Sequence, residues 1–522
     1  MSRVLVSELI AESGLDALRD AGHEVDVRLD LSAEELLDAV PGAHALIIRS
    51  ATQVTAELLD AGTDLVVVGR AGIGLDNVDV AHATHRGVMV VNAPQSNVLS
   101  AAEHTMALLL AQARNIPQAH AALVDGRWER KQWEGVELAD KTLGIIGLGR
   151  IGRLVAQRAA GFGMRVIAHD PFVPDEAATR LGIELVALKA LVGSADFVTL
   201  HLARTPETMG LIDAELLSHA KPGLRLINVA RGGIVDEAAV ADAVREGRLG
   251  GAAVDVFASE PCTDSPLFGV DGVVVTPHLG ASTREAQDKA GTTIAEQVQL
   301  ALAGDFVPFA VNVDAAEASE TLKPFLPVAQ ELGALFAAMV EQLPSALDVE
   351  FRGEIGEVDT KLAVLSLLKG MLGQISGEPV SYVNALDVAA ERGLELRTIS
   401  APSPHSHLNV ISVRGGGRSI GGTVSMTHGG SRIIEVDGHN LDIRPSPHML
   451  FVRNDDTPGM VGTVGAALGD AGINISNMHI GQTAEGVAAL MVIATTSEVP
   501  TAVQEKLRTH TNVLTVRAID LY

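Results

Sequence analysis

The chain of 522 residues contains a single cysteine, Cys262. No intrachain disulfide can form, and a zinc site built on several thiolates is excluded. Positive charge is scarce as well: 39 lysines and arginines stand against 65 acids, a formal charge of −26. Nucleic acid demands a basic footprint and an anionic membrane attracts basic surfaces, so neither is expected as a partner. The same scarcity has a corollary: an anionic ligand is repelled by the overall field and must be met by arginines gathered at one place. Aromatic residues make up only 3% of a chain that is 47% hydrophobic, so the cores are expected to be built from Val, Leu, Ile and Ala. No run reaches the ~18 apolar residues of a membrane span. The opening MSRVLVSELI lacks the basic-then-apolar pattern of a secretory leader. A soluble, cytoplasmic protein is expected.

What is abundant is glycine, at 52 residues, which suits an α/β protein with many tight strand–helix turns. The length predicts three or four domains. Residues 1–95 alternate short apolar runs (RVLVSE, HALIIRS, LVVVGRAG, VMVVNAP) with helical stretches, the rhythm of a parallel sheet. NVLSAAEHTMALLLAQARNIPQAHAAL has helical periodicity, opened by a serine. A second β–α series starts at KTLGIIGLGRIG and continues through RVIAHD, FVTLHL, RLINVA, GAAVDVF and VVVTPHLG. Two doubly wound lobes with a cleft between them are expected. From about residue 315 the patterning becomes mixed α+β, with Gly-rich stretches that read as hairpins. Residues 448–522 follow the order β-α-β-β-α-β of a ferredoxin-like domain.

The second series carries Gly147-x-Gly149-x-x-Gly152 between an apolar strand and a helix, and Asp170 closes the next strand. That full context points to a dinucleotide. Gly147 permits the tight turn, Gly149 the approach of a pyrophosphate, and Gly152 the packing of helix on strand. Arg150 and Ile151 open the helix whose N-terminus faces the phosphates. Asp170 accepts from a ribose diol and repels a 2′-phosphate, so NAD is expected rather than NADP.

Three further signals stand at the ends of consecutive predicted strands: Arg231 in VARGG, Glu260 in ASEP and His278 in TPHLG. Each has a plain structural reading, as a strand-exit arginine, a loop acid and a turn histidine. Together, downstream of a dinucleotide motif, they compose a reaction. A histidine takes the hydroxyl proton as hydride leaves a secondary alcohol. A glutamate fixes its tautomer. An arginine holds an α-carboxylate. Gly232 and Gly233 are expected to leave room for substrate and nicotinamide.

GLGRIG, NVARGGIVDE, ASEP and TPHLGAST together resemble the D-isomer-specific 2-hydroxyacid dehydrogenases over roughly 1–313. The resemblance implies a cofactor domain (96–285) inserted into a substrate domain (1–95 and 286–313). It also implies NAD contacts from Ile73, Leu202, Val229, Ala230, Arg231, Asp255, His278, Leu279, Gly280 and Ala281. IIRSATQVTAELL, VVGRAGIGLDNVDV, NAPQSNVLSAAEHT and GRWERKQWEG narrow it to the long D-3-phosphoglycerate dehydrogenases of that family. This implies 3-phosphoglycerate as substrate, oxidised in the first step of serine synthesis. Its phosphate pocket is then formed by Arg49, Ser50, Arg70, Asn97 and Arg130, with Arg127 and Lys131 as neighbours of Arg130 that could take its place. Several guanidiniums suit a phosphate.

Residues 314–447 resemble the intervening domain of those enzymes, and 448–522 a regulatory ACT domain. Asp456 and Asn474 are the positions implied for an L-serine effector, an acid for its ammonium and an amide for its carboxylate or hydroxyl. Arg352, Lys361 and Arg414 stand as candidates for an effector anion site or as surface charge. No metal site is expected, and a homotetramer is. Two rival readings are a dehydrogenase for another 2-hydroxy acid, such as glyoxylate or hydroxypyruvate, and a nucleotide-sensing corepressor on the same fold.

Overall fold

A computed structural model describes the chain apart from residues 314, 316–317, 341, 376–379, 402–407, 426–428, 483–487 and 522, and apart from the side chain of Gln482. The first sheet is formed by β1 (Arg3–Val6), β2 (Glu24–Val27), β3 (Ala45–Ile48), β4 (Val67–Arg70) and β5 (Met89–Asn92), all parallel, in the order β2-β1-β3-β4-β5. Every residue of β3 and β5 is buried, because helices cover both faces of the sheet. Local chemistry starts those helices. Ser32 and Glu35 form a reciprocal cap before Ala33–Ala39, and Thr55 and Asp79 cap the next two helices.

The second sheet has seven parallel strands, in the order β12-β11-β10-β9-β6-β7-β8. These are β6 (Thr142–Ile146), β7 (Arg165–His169), β8 (Glu184–Leu185), β9 (Phe197–Leu200), β10 (Leu224–Asn228), β11 (Leu249–Val254) and β12 (Val273–Val275). The chain crosses from the first sheet into the second at the helix Val98–Ala113. It returns through Arg284–Ala303, whose Ile294 and Val298 lie against Gly69 of β4. A side chain on Gly69 would have no room, since its Cβ would lie 2.8 Å from Ile294.

The single long helix expected after residue 97 is two helices, Val98–Ala113 and Ile116–Val124. Pro117 has no N–H with which to continue the first helix, though it fits the first turn of the second, and Asn115 turns the chain at a left-handed φ of 51°. Ser100 lies inside the first helix rather than capping it, 2.8 Å from the Thr283 hydroxyl.

The third sheet is mixed, in the order β14-β13-β15-β16-β17-β18. β13 (Ala346–Arg352) pairs in parallel with β14 (Glu395–Ala401), and β15 (Val410–Gly415), β16 (Arg418–Val424), β17 (Ser431–Val436) and β18 (His439–Ile443) follow antiparallel. Both expected hairpins are present. One turns at Gly416-Gly417 and the other at Asp437-Gly438, all four with positive φ.

The last sheet, β20-β21-β19-β22, is antiparallel and ferredoxin-like. Its strands are β19 (His448–Asn454), β20 (Ile475–Gln482), β21 (Ala489–Thr495) and β22 (Val513–Asp520). Leu450 and Val452 pack under the helices Met460–Asp470 and Thr501–Arg508, while Met449 and Phe451 point into the core of the preceding domain. Among the described residues no helix is long and apolar enough to cross a membrane.

Candidate active site

The glycine turn after β6 is built by steric necessity. Gly147 has φ 95°, and a Cβ there would overlap the His201 carbonyl oxygen; one on Gly152 would overlap the Gly147 carbonyl oxygen. Gly149 faces open space, at the N-terminus of the helix Arg150–Gly161. The unpaired N–H groups of that first turn and the open space before them fit a dinucleotide pyrophosphate. Asp170 accepts from the amides of Leu148 (2.8 Å) and Phe172 (2.9 Å), so its carboxylate fixes the loop to the end of β7. Val229 and Ala230 are nearly buried, and Leu202 lies beside Gly147. The Ile73 carbonyl accepts from Asn92 Nδ2 at 2.7 Å. Arg150 reaches from the helix start to the Pro94 carbonyl oxygen in the crossing between the lobes.

At the carboxyl ends of β10 to β12 the structure brings Glu260 and His278 together. Glu260 Oε2 lies 2.6 Å from His278 Nδ1, and its other oxygen accepts from the Phe257 amide at 2.8 Å. Burial pushes the Glu260 carboxyl up, but the His278 hydrogen bond, the Phe257 amide and the His278 charge outweigh it, and the net shift is downward. His278 has a left-handed φ of 54°, held by its N–H to the Asp255 carbonyl oxygen at 2.8 Å.

Asp255 itself is fully buried. Its carboxylate accepts from the Thr276 hydroxyl (2.6 Å), the amides of Leu279 (2.7 Å) and Gly280 (2.9 Å), and His104 Nε2 (3.2 Å). The loop from His278 to Ala281 is therefore moulded on Asp255. His104 and Thr276 were not singled out from the sequence, since nothing local marks a histidine as the partner of an acid 151 positions away.

Arg231 leaves β10 toward the first lobe, where its Nε lies 3.5 Å from Asp76 Oδ2. The glycines behind it serve a different purpose from the one expected. A Cβ on Gly232 would overlap the Phe257 carbonyl oxygen, so Gly232 admits backbone of the same lobe rather than a ligand. Gly233 has φ 79° and turns the chain beside Met209.

Across the cleft, β3 and β4 end in Arg49 and Arg70. The Glu8 carboxylate fixes the first of these loops by accepting from the amides of Arg49, Ala51 and Thr52, which places Ser50 in an exposed turn. Arg70 folds into the space left by Gly72. Burial, together with the charges of Arg231 and Arg49, lowers it to about 10, against the pull of Asp76 and Glu8. Its Nε and the Oδ1 of Asn97 are buried without a hydrogen-bond partner among the described residues. A desolvated guanidinium crowded by two others is short of negative charge, which an anion would supply.

Arg130 stands on a loop whose ends are tied down elsewhere. The helix Val98–Ala113 ends with Gln112 on the Gly250 and Gly272 carbonyl oxygens, and Gln118 donates to that of Val273. These are the amino ends of β11 and β12. The exposed loop with Arg130 is tied there by the Val136 amide to Ala113 and by Asn115 Nδ2 to Glu134. These anchors of the loop lie at the sheet edge opposite Arg231 and His278. Arg127, its neighbour, is engaged by Glu129 and Asp125.

In the C-terminal domain Asp456 sits exposed at φ 52° in the turn after β19, its amide donating to Asn454 Oδ1. Asn474 is exposed at the start of β20. Arg352 and Arg414 both pair with Glu350. Among the described residues no group of three or more His, Cys, Asp or Glu is arranged to hold a metal ion.

Residues 106–280 match the NAD-binding domain of the D-isomer-specific 2-hydroxyacid dehydrogenases, 321–437 the D-3-phosphoglycerate dehydrogenase intervening domain, and 448–510 the ACT domain. A D-3-phosphoglycerate dehydrogenase of Mycobacterium leprae is 48% identical over 95% of both chains. The chain belongs to the D-3-phosphoglycerate dehydrogenase family. A relative of that name in Bacillus subtilis is 38% identical over the full length of both chains. Among solved structures, the TT0316 protein of Thermus thermophilus superposes with a TM-score of 0.56 at 37% identity, covering 59% of this chain and 99% of its own. A match of that extent has the length of the first two lobes alone. The mixed α/β architecture with its ACT domain is that of the family.

Proposed function

We propose that this chain catalyses the NAD-dependent oxidation of D-3-phosphoglycerate to 3-phosphohydroxypyruvate, the entry to serine synthesis. One observation carries the reading beyond the family: the charges of Arg49 and Arg231 both bear on the buried Arg70, in a chain that also brings Glu260 and His278 together. In a chain of charge −26, guanidiniums so crowded imply a ligand with more than one negative group.

Each residue has a part. Arg231 holds the α-carboxylate. Arg49 and Arg70, with Ser50 and Asn97, hold the phosphate. Glu260 accepts from His278 Nδ1–H, which leaves Nε2 as the acceptor of the hydroxyl proton, and the carboxylate stabilises the imidazolium that forms. Asp255 holds the loop on which His278 stands. Gly147, Gly149, Gly152 and the helix start with Arg150 and Ile151 hold the dinucleotide, whose ribose Asp170 receives. NAD, when bound, supplies the hydride acceptor. Leu202, Val229, Ala230, Ile73 and Leu279 to Ala281 wall off water around it. Arg130 enters a phosphate site only from a second copy of the chain, since its own loop is anchored at the far edge of the sheet. L-Serine binding at Asp456 and Asn474, a homotetramer and a cytoplasmic setting complete the proposal.

The test is NADH oxidation with 3-phosphohydroxypyruvate against hydroxypyruvate, with and without L-serine. A strong preference for the phosphorylated substrate is expected, suppressed by serine. Equal rates would remove the phosphate pocket, and preference without suppression would remove the serine site alone.

A further inference from the structure

A cavity of about 310 Å³ lies where the first lobe meets the intervening domain. Gly304, Asp305 and Phe306 reach it from the end of the helix Arg284–Ala303; Lys323, Gln330 and Glu331 reach it from the start of Leu326–Met339. Tyr382 closes one wall, 8% exposed. Two groups, one on the lining and one behind the wall made by Gly304 and Tyr382, are left with opposite needs. Glu331 Oε2 is buried with no hydrogen-bond partner among the described residues, while the Ser431 hydroxyl bears on the same carboxyl. Lys369 Nζ stands 4.6 Å over the Tyr382 ring and 3.6 Å from where a Gly304 Cβ would be, with no hydrogen bond or ion pair among the described residues. Burial lowers the ammonium's pKa and raises that of the Glu331 carboxyl against the opposing Ser431 hydrogen bond, while the charge of Asp305 acts to keep Lys369 protonated. Lys323 is already paired with Glu320 at 2.7 Å.

A bare anion would satisfy Lys369 and repel Glu331 and Asp305. A bare cation would do the reverse. We propose that this junction is a second small-molecule site that takes a free amino acid as its zwitterion. The α-carboxylate accepts from Lys369 and Gln330, and the α-ammonium donates to Glu331 and Asp305. The volume is at the small end for ligand pockets, about 300–1,000 Å³, which suits an amino acid with a short side chain. The site shares no residue with the catalytic cleft or with Asp456 and Asn474. A ligand there joins the last helix of the first lobe to the first helix of the intervening domain, and so bears on how the two halves of the chain sit.

The experiment uses the full chain with Asp456→Ala, which removes the proposed ACT-domain site, and titrates glycine calorimetrically, with acetate and methylammonium as half-ligands. Glycine is expected to bind as it does to the unsubstituted chain. Each half-ligand should bind more than about tenfold more weakly, and Lys369→Met and Glu331→Gln should each weaken glycine by more than about tenfold, the loss of one charge-assisted bond. Trace acetylation of Lys369 in the unsubstituted chain, read by peptide mapping as a ratio to the exposed Lys189 because glycine's own amine consumes reagent, should slow as glycine is added, and this arm does not depend on any variant folding. Acetate binding as tightly as glycine, glycine binding unchanged by Lys369→Met, or acetylation indifferent to glycine would each overturn the proposal.

Discussion

Asp255→Asn separates two roles that a buried acid at this position could have. The native carboxylate is 0% exposed and accepts from four donors. An amide can keep only one oxygen. Oriented with its carbonyl in place of Oδ1, it retains Thr276, Leu279 and His104 and turns its NH₂ against the Gly280 amide; the reverse orientation sacrifices three bonds to keep one. The favoured orientation loses one hydrogen bond to a charged acceptor, about 1.5–3 kcal/mol, and leaves a buried N–H unpaired. It also converts three charge-assisted bonds to neutral ones of roughly half the strength. About 2–4 kcal/mol of loop stability is at stake. His278 keeps its left-handed backbone against a cost of about 1–3 kcal/mol, so a loop weakened by that much lets the imidazole drift. A displacement near 1 Å costs about 10²-fold. The expected result is a lower urea midpoint, kcat/KM reduced about 10²-fold, and NADH affinity, measured by fluorescence, within about threefold of the parent, well under the factor of ten that 1.4 kcal/mol represents. If Asp255 acts as a cofactor contact instead, NADH affinity falls with kcat/KM and the urea midpoint stays. That pattern would refute the positioning argument.

Other substitutions address the remaining groups. His278→Ala should lower kcat by about 10²–10⁴-fold while NADH still binds; retained turnover in a stopped-flow trace would remove His278 as the proton acceptor. Arg49→Ala should raise KM for 3-phosphohydroxypyruvate by more than about tenfold, the value of a charge-assisted bond, and leave the rate with unphosphorylated hydroxypyruvate unaltered; equal effects on both would place Arg49 away from the phosphate. Glu8, Asp255 and Glu260 are each held below the usual carboxylate range: burial acts upward on all three, and hydrogen bonds to amides, His104 or His278 outweigh it. A carboxyl whose folded pKa is depressed stabilises the fold above its unfolded value, near 4, and that contribution is lost as pH falls through the folded value. Thermal midpoints should therefore be level above about pH 5 and fall steeply below pH 4, and Glu8→Gln should flatten the fall.

Most strands of the two parallel sheets were legible because each is a short apolar run closed by a polar or glycine signal, and a fully buried strand leaves that trace in any sequence; β2 and β8, at the sheet edges and partly exposed, left none. The ferredoxin-like order was legible for the same reason. What escaped depends on distance. Helical periodicity runs unbroken from Val98 to Leu123, and only Pro117 argues against a single helix. Gly232 invites the thought of ligand space, yet the carbonyl that fills it belongs to Phe257, 25 positions on. Arg130 has the composition of a phosphate ligand, and only the path of its helix shows which edge of the sheet it leaves from. Asp255 looks like one more strand-end acid; its hold on the catalytic loop is visible only once His104 and Thr276 lie against it.

The C-terminal sheet belongs to the expected ACT domain, and its packing also ties it to the domain before it. Alternate residues of β19 serve two cores: Leu450 and Val452 belong to the one beneath its own helices, Met449 and Phe451 to the one of the intervening domain, with Leu490, Val492 and Ile519 beside them. Arg418 and Arg517, one from each domain, donate to the same carbonyl oxygen of Met339 at the end of the helix Leu326–Met339. A strand buried on both faces cannot melt on one side alone. Phe451→Ala, a loss of about 3–5 kcal/mol, and Leu450→Ala, about 2–5 kcal/mol, should therefore lower one shared transition, with proteolysis entering the intervening and C-terminal domains together. If Leu450→Ala frees only the residues after 445 while Phe451→Ala leaves them protected, the two domains are separable. Since Asp456 follows directly on β19, a shared transition means that whatever binds at that turn pulls on the intervening core as firmly as on its own.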